Sequence, residues 1–271
     1  MKRKSKERIT NLWLRQYILI GYAAKGTLYL LIGISAIQAA MFSGEEATGT
    51  YLSLTSLANK PFGKILVLLL AIALMGYVLR RLFQTVLTPG YSDPWSWKCI
   101  LKRIGYIMSG FSYAGIAYTA VNIVLGLGEY DDTIEDLANE LFDQPFGEWL
   151  IFIGGLAVAT IGIFYVYGAY TGSYISEFDS SDIDRRLEKW TRRIGKIGVA
   201  ARGVAFVLMG IFLVQGAIIG SSELAGGLQN VFRVLSAQPF GSVWLASIGL
   251  GSIAYGLYMF VVTRYRLYAV R

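Results

Sequence analysis

Gly21–Gly33 reads GYAAKGTLYLLIG, Gly105–Ala117 reads GYIMSGFSYAGIA, and Gly198–Gly210 reads GVAARGVAFVLMG. Downstream of each stands a Pro-Phe-Gly, at Pro61–Gly63, Pro145–Gly147 and Pro239–Gly241, and the interval from leading glycine to proline is the same in all three to within a single position. Shared hydrophobicity alone does not reproduce such spacing three times. The chain therefore reads as three tandem copies of one unit, and the meaning of any residue is set partly by its counterparts in the other two copies.

Each unit carries two long apolar stretches: 17–40 and 65–87, 104–127 and 149–170, 197–219 and 243–262. At a rise of about 1.5 Å per residue, roughly 20 residues cross the ~30 Å hydrocarbon layer, so every stretch is long enough to span. In lipid the backbone has no water to satisfy its polar groups, and helix follows. Composition agrees, with 55% hydrophobic residues, 16% charged residues and a mean hydropathy of +0.50. The predicted fold class is an all-α integral membrane protein with six transmembrane helices, arranged as three tandem, same-orientation two-helix hairpin repeats. Because each unit crosses twice, the relating axis runs along the membrane normal, and a pseudo-threefold axis is the simplest closed form. The organisation is a basic N-terminus (1–16), hairpin repeat 1 (17–87), a loop (88–103), hairpin repeat 2 (104–171), a loop (172–196), hairpin repeat 3 (197–262) and a tail (263–271).

Orientation is read from the basic residues. Segments 1–16, 88–103, 171–196 and 263–271, with Arg80 and Arg81, hold 20 of the 25 Lys and Arg, whereas the opposite side has Lys60, Lys64 and Arg233. The positive-inside rule then predicts cytoplasmic termini and the cytoplasmic (inner) membrane of a bacterium. Glu129, Asp131, Asp132, Glu135, Asp136, Glu140 and Asp143 fall on the outer side. The net charge of +7 is mainly a topology signal, and no nucleic-acid partner is expected. The apolar run after MKRKSKERITNLWLR is longer than a signal-peptide core, carries Lys25 and recurs in the later copies. It reads as an uncleaved first helix.

The chain has no histidine, which removes the commonest ligand for haem, zinc and di-iron sites, and no metal or other cofactor is expected. Cys99 is the only cysteine and reads as a free thiol in a cytoplasmic loop. The combination of glycine, small residues, Lys or Arg before Gly, and a later Pro-Phe-Gly, three times over, resembles the bacterial membrane family called domain of unknown function 1206. The likeness runs from about Gly21 to Val262. It implies paired spans in triplicate and supplies no activity, cofactor or site to carry over. The middle copy departs from it with Ser109 where the others have Lys25 and Arg202.

Gly26 and Gly33, Gly110 and Ala117, and Gly203 and Gly210 are seven apart, a stripe that permits close helix packing, and they place the first helix of each hairpin in an inner layer. Pro-Phe-Gly suits a helix start, with proline in the first turn, phenylalanine at the interface and glycine at a crossing. The segments LTSLANK, IEDLANELFDQ and LQNVFRVLSAQ ahead of it read as short amphipathic helices on the outer surface.

Ionisable residues inside spans cost about 2.5–3.5 kcal/mol at the centre on insertion scales and are functional candidates by default. Lys25 and Arg202 are equivalent, each with an aromatic ring four residues on, Tyr29 or Phe206. Two readings stand side by side. Both side chains could snorkel to headgroups as anchors, or both could occupy crevices between hairpins and bind an anionic headgroup or solute. The anion- or lipid-binding candidates are Lys25, Arg202, Ser109, Tyr29 and Tyr113. Gln38, Asn122 and Gln215 each stand at the same distance from the leading glycine of their copy and are candidates for an intramembrane polar ring, against the plainer reading of interhelical hydrogen bonds.

No phosphate loop, metal-ligand cluster or nucleophile with a base is legible, and the expectation is a protein that is not an enzyme. Asp and Glu are missing from the spans. The sequence points to a non-catalytic lipid-binding or assembly component whose partners are membrane lipids, with anionic headgroups favoured. The alternatives are a channel or transporter for a small anionic solute and, less well supported, an intramembrane enzyme.

Overall fold

The computed structural model describes residues 2–42, 49–87, 96–127, 133–174 and 184–265. The acidic residues Glu129, Asp131 and Asp132, residues 88–95 and 175–183 of the two basic loops and residues 266–271 of the tail lie outside these, as do the side chains at positions 1–15 and 133–136. Among the described residues every regular element is a helix. Six are long: α1 (Lys2–Met41), α3 (Gly63–Leu87), α4 (Trp97–Leu125), α6 (Gly147–Thr171), α7 (Arg185–Ile219) and α9 (Gly241–Tyr265). Each is long and apolar enough to cross a membrane. Three are short and precede the second long helix of each copy: α2 (Thr50–Ala58), α5 (Thr133–Phe142) and α8 (Leu228–Ser236).

The first long helix of each copy starts well before its apolar stretch. In α7 the extension is stabilised by Asp184, which caps the backbone N–H of Arg186 at 3.3 Å, and by the Arg192–Glu188 pair at 2.7 Å. Both α4 and α7 end on a glycine in the left-handed region, Gly126 (φ 69°) and Gly220 (φ 73°), which releases the chain into the loop. Cys99 lies in the first turns of α4 and is fully buried, not in a loop. The helix begins earlier than the apolar run and carries the thiol inward.

The short helices sit where amphipathic segments were expected and bury their apolar faces against protein: Leu54 in α2, Ala138 in α5, Val231 and Phe232 in α8. Asn230 Nδ2 donates to Leu224 O at 2.8 Å, and the Gly49 N–H donates to Gln229 Oε1, tying α8 to the start of α2.

The Pro-Phe-Gly segments differ from expectation in a consistent way. Proline precedes the helix by two positions. The glycine N–H donates to the carbonyl three positions back, Gly63 to Lys60 (2.8 Å), Gly147 to Gln144 (3.0 Å) and Gly241 to Gln238 (2.9 Å). Proline at the second position with positive φ at the third is the pattern of a type II turn. That third residue is phenylalanine each time, with φ of 61°, 68° and 63°, and its ring is about four-fifths exposed. Glycine follows because a Cβ there would overlap a carbonyl oxygen of the preceding short helix, that of Leu57, Leu141 or Ser236.

Long helices pack chiefly by glycine-to-backbone contact between neighbouring copies. Helix α1 meets α9 at Gly26 against Gly256 and Gly33 against Gly249, and α7 meets α6 at Gly203 against Gly162 and Gly210 against Gly155. The glycines of the second helix, Gly249 and Gly256 in α9 and Gly155 and Gly162 in α6, stand at matching offsets from the proline of their copy. Helix α3 packs on α4 with Ala71 and Val78 at those offsets, and Gly110 meets only Arg81 Cβ at 3.6 Å. Within a copy, α1 locks to α3 through Gly21, whose Cβ would lie 2.5 Å from Tyr77 N. Likewise α7 locks to α9 through Gly198, whose Cβ would overlap Tyr255 N. Packing thus runs α4, α3, α1, α9, α7, α6 in order, whereas α4 and α6 barely approach one another.

An inner layer of first helices does not form. Half of the α9 span is buried, as in α1, against a third of α4 and α7 and 17% of α6. The close glycine pairing joins a second helix to a first helix, so both kinds share the interior.

Candidate functional site

Polar groups from all six long helices converge on one buried cluster. Lys25 and Tyr29 come from α1, Tyr77 and Arg81 from α3, Ser109 and Tyr113 from α4, Tyr165 from α6, Arg202 and Phe206 from α7, and Tyr255 from α9. The five residues expected to bind an anion or lipid, Lys25, Arg202, Ser109, Tyr29 and Tyr113, all belong to it.

Lys25 and Arg202 are 2% and 6% exposed. Of the two readings, the snorkelling one does not fit this burial: each head group turns inward onto ring faces. Lys25 Nζ lies 4.6 Å from the Tyr77 ring centroid, 4.9 Å from Tyr113 and 5.3 Å from Tyr255. Arg202 Cζ lies 4.7 Å from Tyr165, 5.0 Å from Phe206, 5.1 Å from Tyr255 and 5.4 Å from Tyr29. Desolvated cation–π contacts contribute about 0.5–2 kcal/mol each, which offsets part of the cost of holding two cations away from water.

Hydroxyls complete the cluster. Lys25 Nζ donates to Tyr77 Oη at 3.1 Å, Arg81 Nε donates to the same oxygen at 2.8 Å, and Ser109 Oγ lies 3.3 Å from it. Arg202 Nη1 donates to Tyr255 Oη at 2.5 Å, and Tyr113 Oη donates to Tyr29 Oη at 3.4 Å. Arg202 Nε is buried and has no hydrogen-bond partner among the described residues. The apolar spans hold no Asp or Glu, and among the described residues Lys25 and Arg202 are satisfied by phenols and ring faces, with no carboxylate against either. Among the described residues no group of His, Cys, Asp or Glu could hold a metal ion.

The three carboxamides differ in burial. Gln38 and Gln215 are exposed and share their helix faces with exposed Ile34, Met41 and Phe42, and with Ile211, Ile218 and Ile219, whereas Asn122 is buried. Their common distance from the leading glycine fixes their depth, but the middle copy presents that face to protein and the other two present it outward.

Sequence reading missed Tyr77, Tyr255, Tyr165 and Arg81. A signal existed: Tyr77 and Tyr255 stand at the same offset from the proline of their copy, with Ile161 at that place in the middle one. Arg81, Tyr165 and Met259 share a second offset, one helical turn further on. Arg81 was assigned to the basic end of a helix, yet it folds back one turn onto Tyr77.

The family model described as Domain of Unknown Function (DUF1206) matches the chain three times, over residues 20–87, 104–172 and 197–266. The chain is similar to an uncharacterized protein of Bacillus subtilis (strain 168), YxxB, with 28% identity over 252 residues that cover 92% of this chain and 90% of that protein. No solved structure matches the chain. With three matches across most of its length and six helices able to cross a membrane, the chain belongs to the DUF1206 family of three-repeat proteins.

Proposed function

We propose that this protein is a non-catalytic membrane component that holds an anionic group, such as a lipid headgroup, on Lys25 and Arg202. The carrying observation is charge in a buried place: Lys25 and Arg202 are enclosed, no carboxylate faces either of them among the described residues, and Arg202 Nε has no acceptor there. A phosphate or carboxylate supplies the missing acceptors, and such charge-assisted bonds are about twice as strong as neutral ones. No chemical step is assigned to the cluster, and the reading is of a binding protein, not an enzyme.

In this proposal the three hairpins share one orientation and close around an axis, with the basic termini on the cytoplasmic side of a bacterial inner membrane. The packing of each copy's second long helix on the next copy's first, the last copy returning to the first, supports that closure. A channel or transporter for a small anionic solute is the second reading, favoured by the contribution of all six long helices to one central cluster.

Native mass spectrometry of protein released from membranes, wild type beside Lys25→Met/Arg202→Met, tests the first reading. The expected result is a specific anionic adduct on the wild type that the double variant loses. Identical adducts on both would remove the cluster as a binding site.

A further inference from the structure

The three copies act as internal controls for one another, and the middle one is open where the others are shut. Gly21 and Gly198 press on the backbone of Tyr77 and Tyr255 in their own copies, but a Cβ on the equivalent Gly105 of α4 would meet no atom of the described residues within 4 Å. Gly154 of α6 stands where the other copies bury Leu70 and Ile248, and its Cβ would also meet nothing within 4 Å. Ile161 replaces the tyrosine that closes the other two pairs.

This seam ends at the cluster. One and two turns on from Gly105, Ser109 and Tyr113 of α4 meet Tyr77 and Lys25 in the cluster, and Tyr165 of α6 lies 4.7 Å from the Arg202 guanidinium. Ser109 is half-buried, unlike the enclosed Lys25 and Arg202. On α4 the cluster therefore presents a neutral hydroxyl at the position where the other two copies carry Lys25 and Arg202.

Building on the anion-holding role proposed above, we propose that the seam between α4 and α6 is the lateral path and tail slot by which a phospholipid of net negative charge reaches Lys25 and Arg202. The chemistry of the two parts is complementary to such a molecule. The buried unpartnered Arg202 Nε and Lys25 Nζ take the headgroup, Ser109 adds a hydrogen bond, and the cleft between two apolar helices takes hydrocarbon. A free anion would have no use for the apolar seam.

The test is thermal unfolding of purified protein in neutral detergent, with dioleoyl phosphatidylglycerol, dioleoyl phosphatidylcholine or glycerol phosphate added, because a ligand that binds only the folded state raises the midpoint. Wild type should be stabilised by phosphatidylglycerol and not by phosphatidylcholine. Gly105→Leu/Gly154→Leu fills the seam from both walls and should weaken the phosphatidylglycerol effect by about tenfold in apparent affinity while leaving the response to glycerol phosphate intact. Gly154→Leu alone repeats the test should the double variant fold poorly. A seam variant that still answers to phosphatidylglycerol like wild type overturns the lateral path and leaves the anion site standing, as does a wild type that answers to glycerol phosphate alone. Equal stabilisation of Lys25→Met/Arg202→Met by either anion would instead bring down the site itself.

Discussion

The phenol of Tyr77 accepts from Lys25 and from Arg81 while its backbone N–H faces Gly21 at van der Waals limits, so one residue couples the polar cluster to helix packing. Gly21 and Gly105 occupy the same place in two copies and give opposite expectations for one added methyl group. In Gly21→Ala the Cβ lies 2.5 Å from Tyr77 N, a backbone atom that cannot rotate away, and overpacking of this kind costs about 1–3 kcal/mol. In Gly105→Ala the methyl enters open space, and exchanging glycine for alanine within a helix gains about 0.5–1 kcal/mol. Unfolding in mixed micelles by increasing fractions of dodecyl sulfate should rank the three proteins Gly105→Ala, wild type, Gly21→Ala. Equal losses for the two variants would mean that the middle copy is packed as tightly as the first.

At the scale of the elements, the α1–α9 interface joins the first and last helices of the chain, and its geometry makes it measurable. A Cβ on Gly26 would lie 3.3 Å from Met259 Cβ, close to the roughly 3.5–4.5 Å a disulfide spans. In a Cys99→Ser background, Gly26→Cys/Met259→Cys should oxidise to an intramolecular disulfide, read as the loss of two hydrogens in the intact mass; a persistently reduced pair would separate first helix from last. The six long helices and the three short ones were legible in the sequence because hydropathy and the Pro-Phe-Gly spacing mark element position directly. Helix rotation was less legible. In a membrane both the lipid-facing and the protein-facing sides are apolar, so periodicity does not say which face of α1 carries Lys25 inward or turns Gln38 out. The partners of Lys25 lie far along the chain, on other helices, and only the matched offsets of Tyr77 and Tyr255 from their prolines hinted that the two belong together. The phenylalanines in left-handed turns were hidden for a related reason: asparagine or glycine announces such a backbone, and phenylalanine does not.

At the scale of the whole molecule, the proposed topology gathers the basic residues on one side, against Lys60, Lys64 and Arg233 on the other, and such an asymmetry is the quantity that sets orientation. Under the proposed orientation, a fluorescent protein fused after Arg271 in bacterial cells should mature and glow, and an alkaline phosphatase fused there should be inactive; the reverse pair of results would invert the topology. The adjacency of α1 and α9 also bears on how the molecule is made. Helix α1 leaves the ribosome well before α9, the helix it packs on most, and meets it only after all the helices between them have been made. At about 5–20 residues per second, the stretch of chain from Gly33 to Gly249 takes on the order of 10–40 s to synthesise. During that interval the glycine face of α1 has no α9 to receive it, so biogenesis of this protein must tolerate a first span that waits, and a chain truncated before α9 would leave that face exposed in the bilayer.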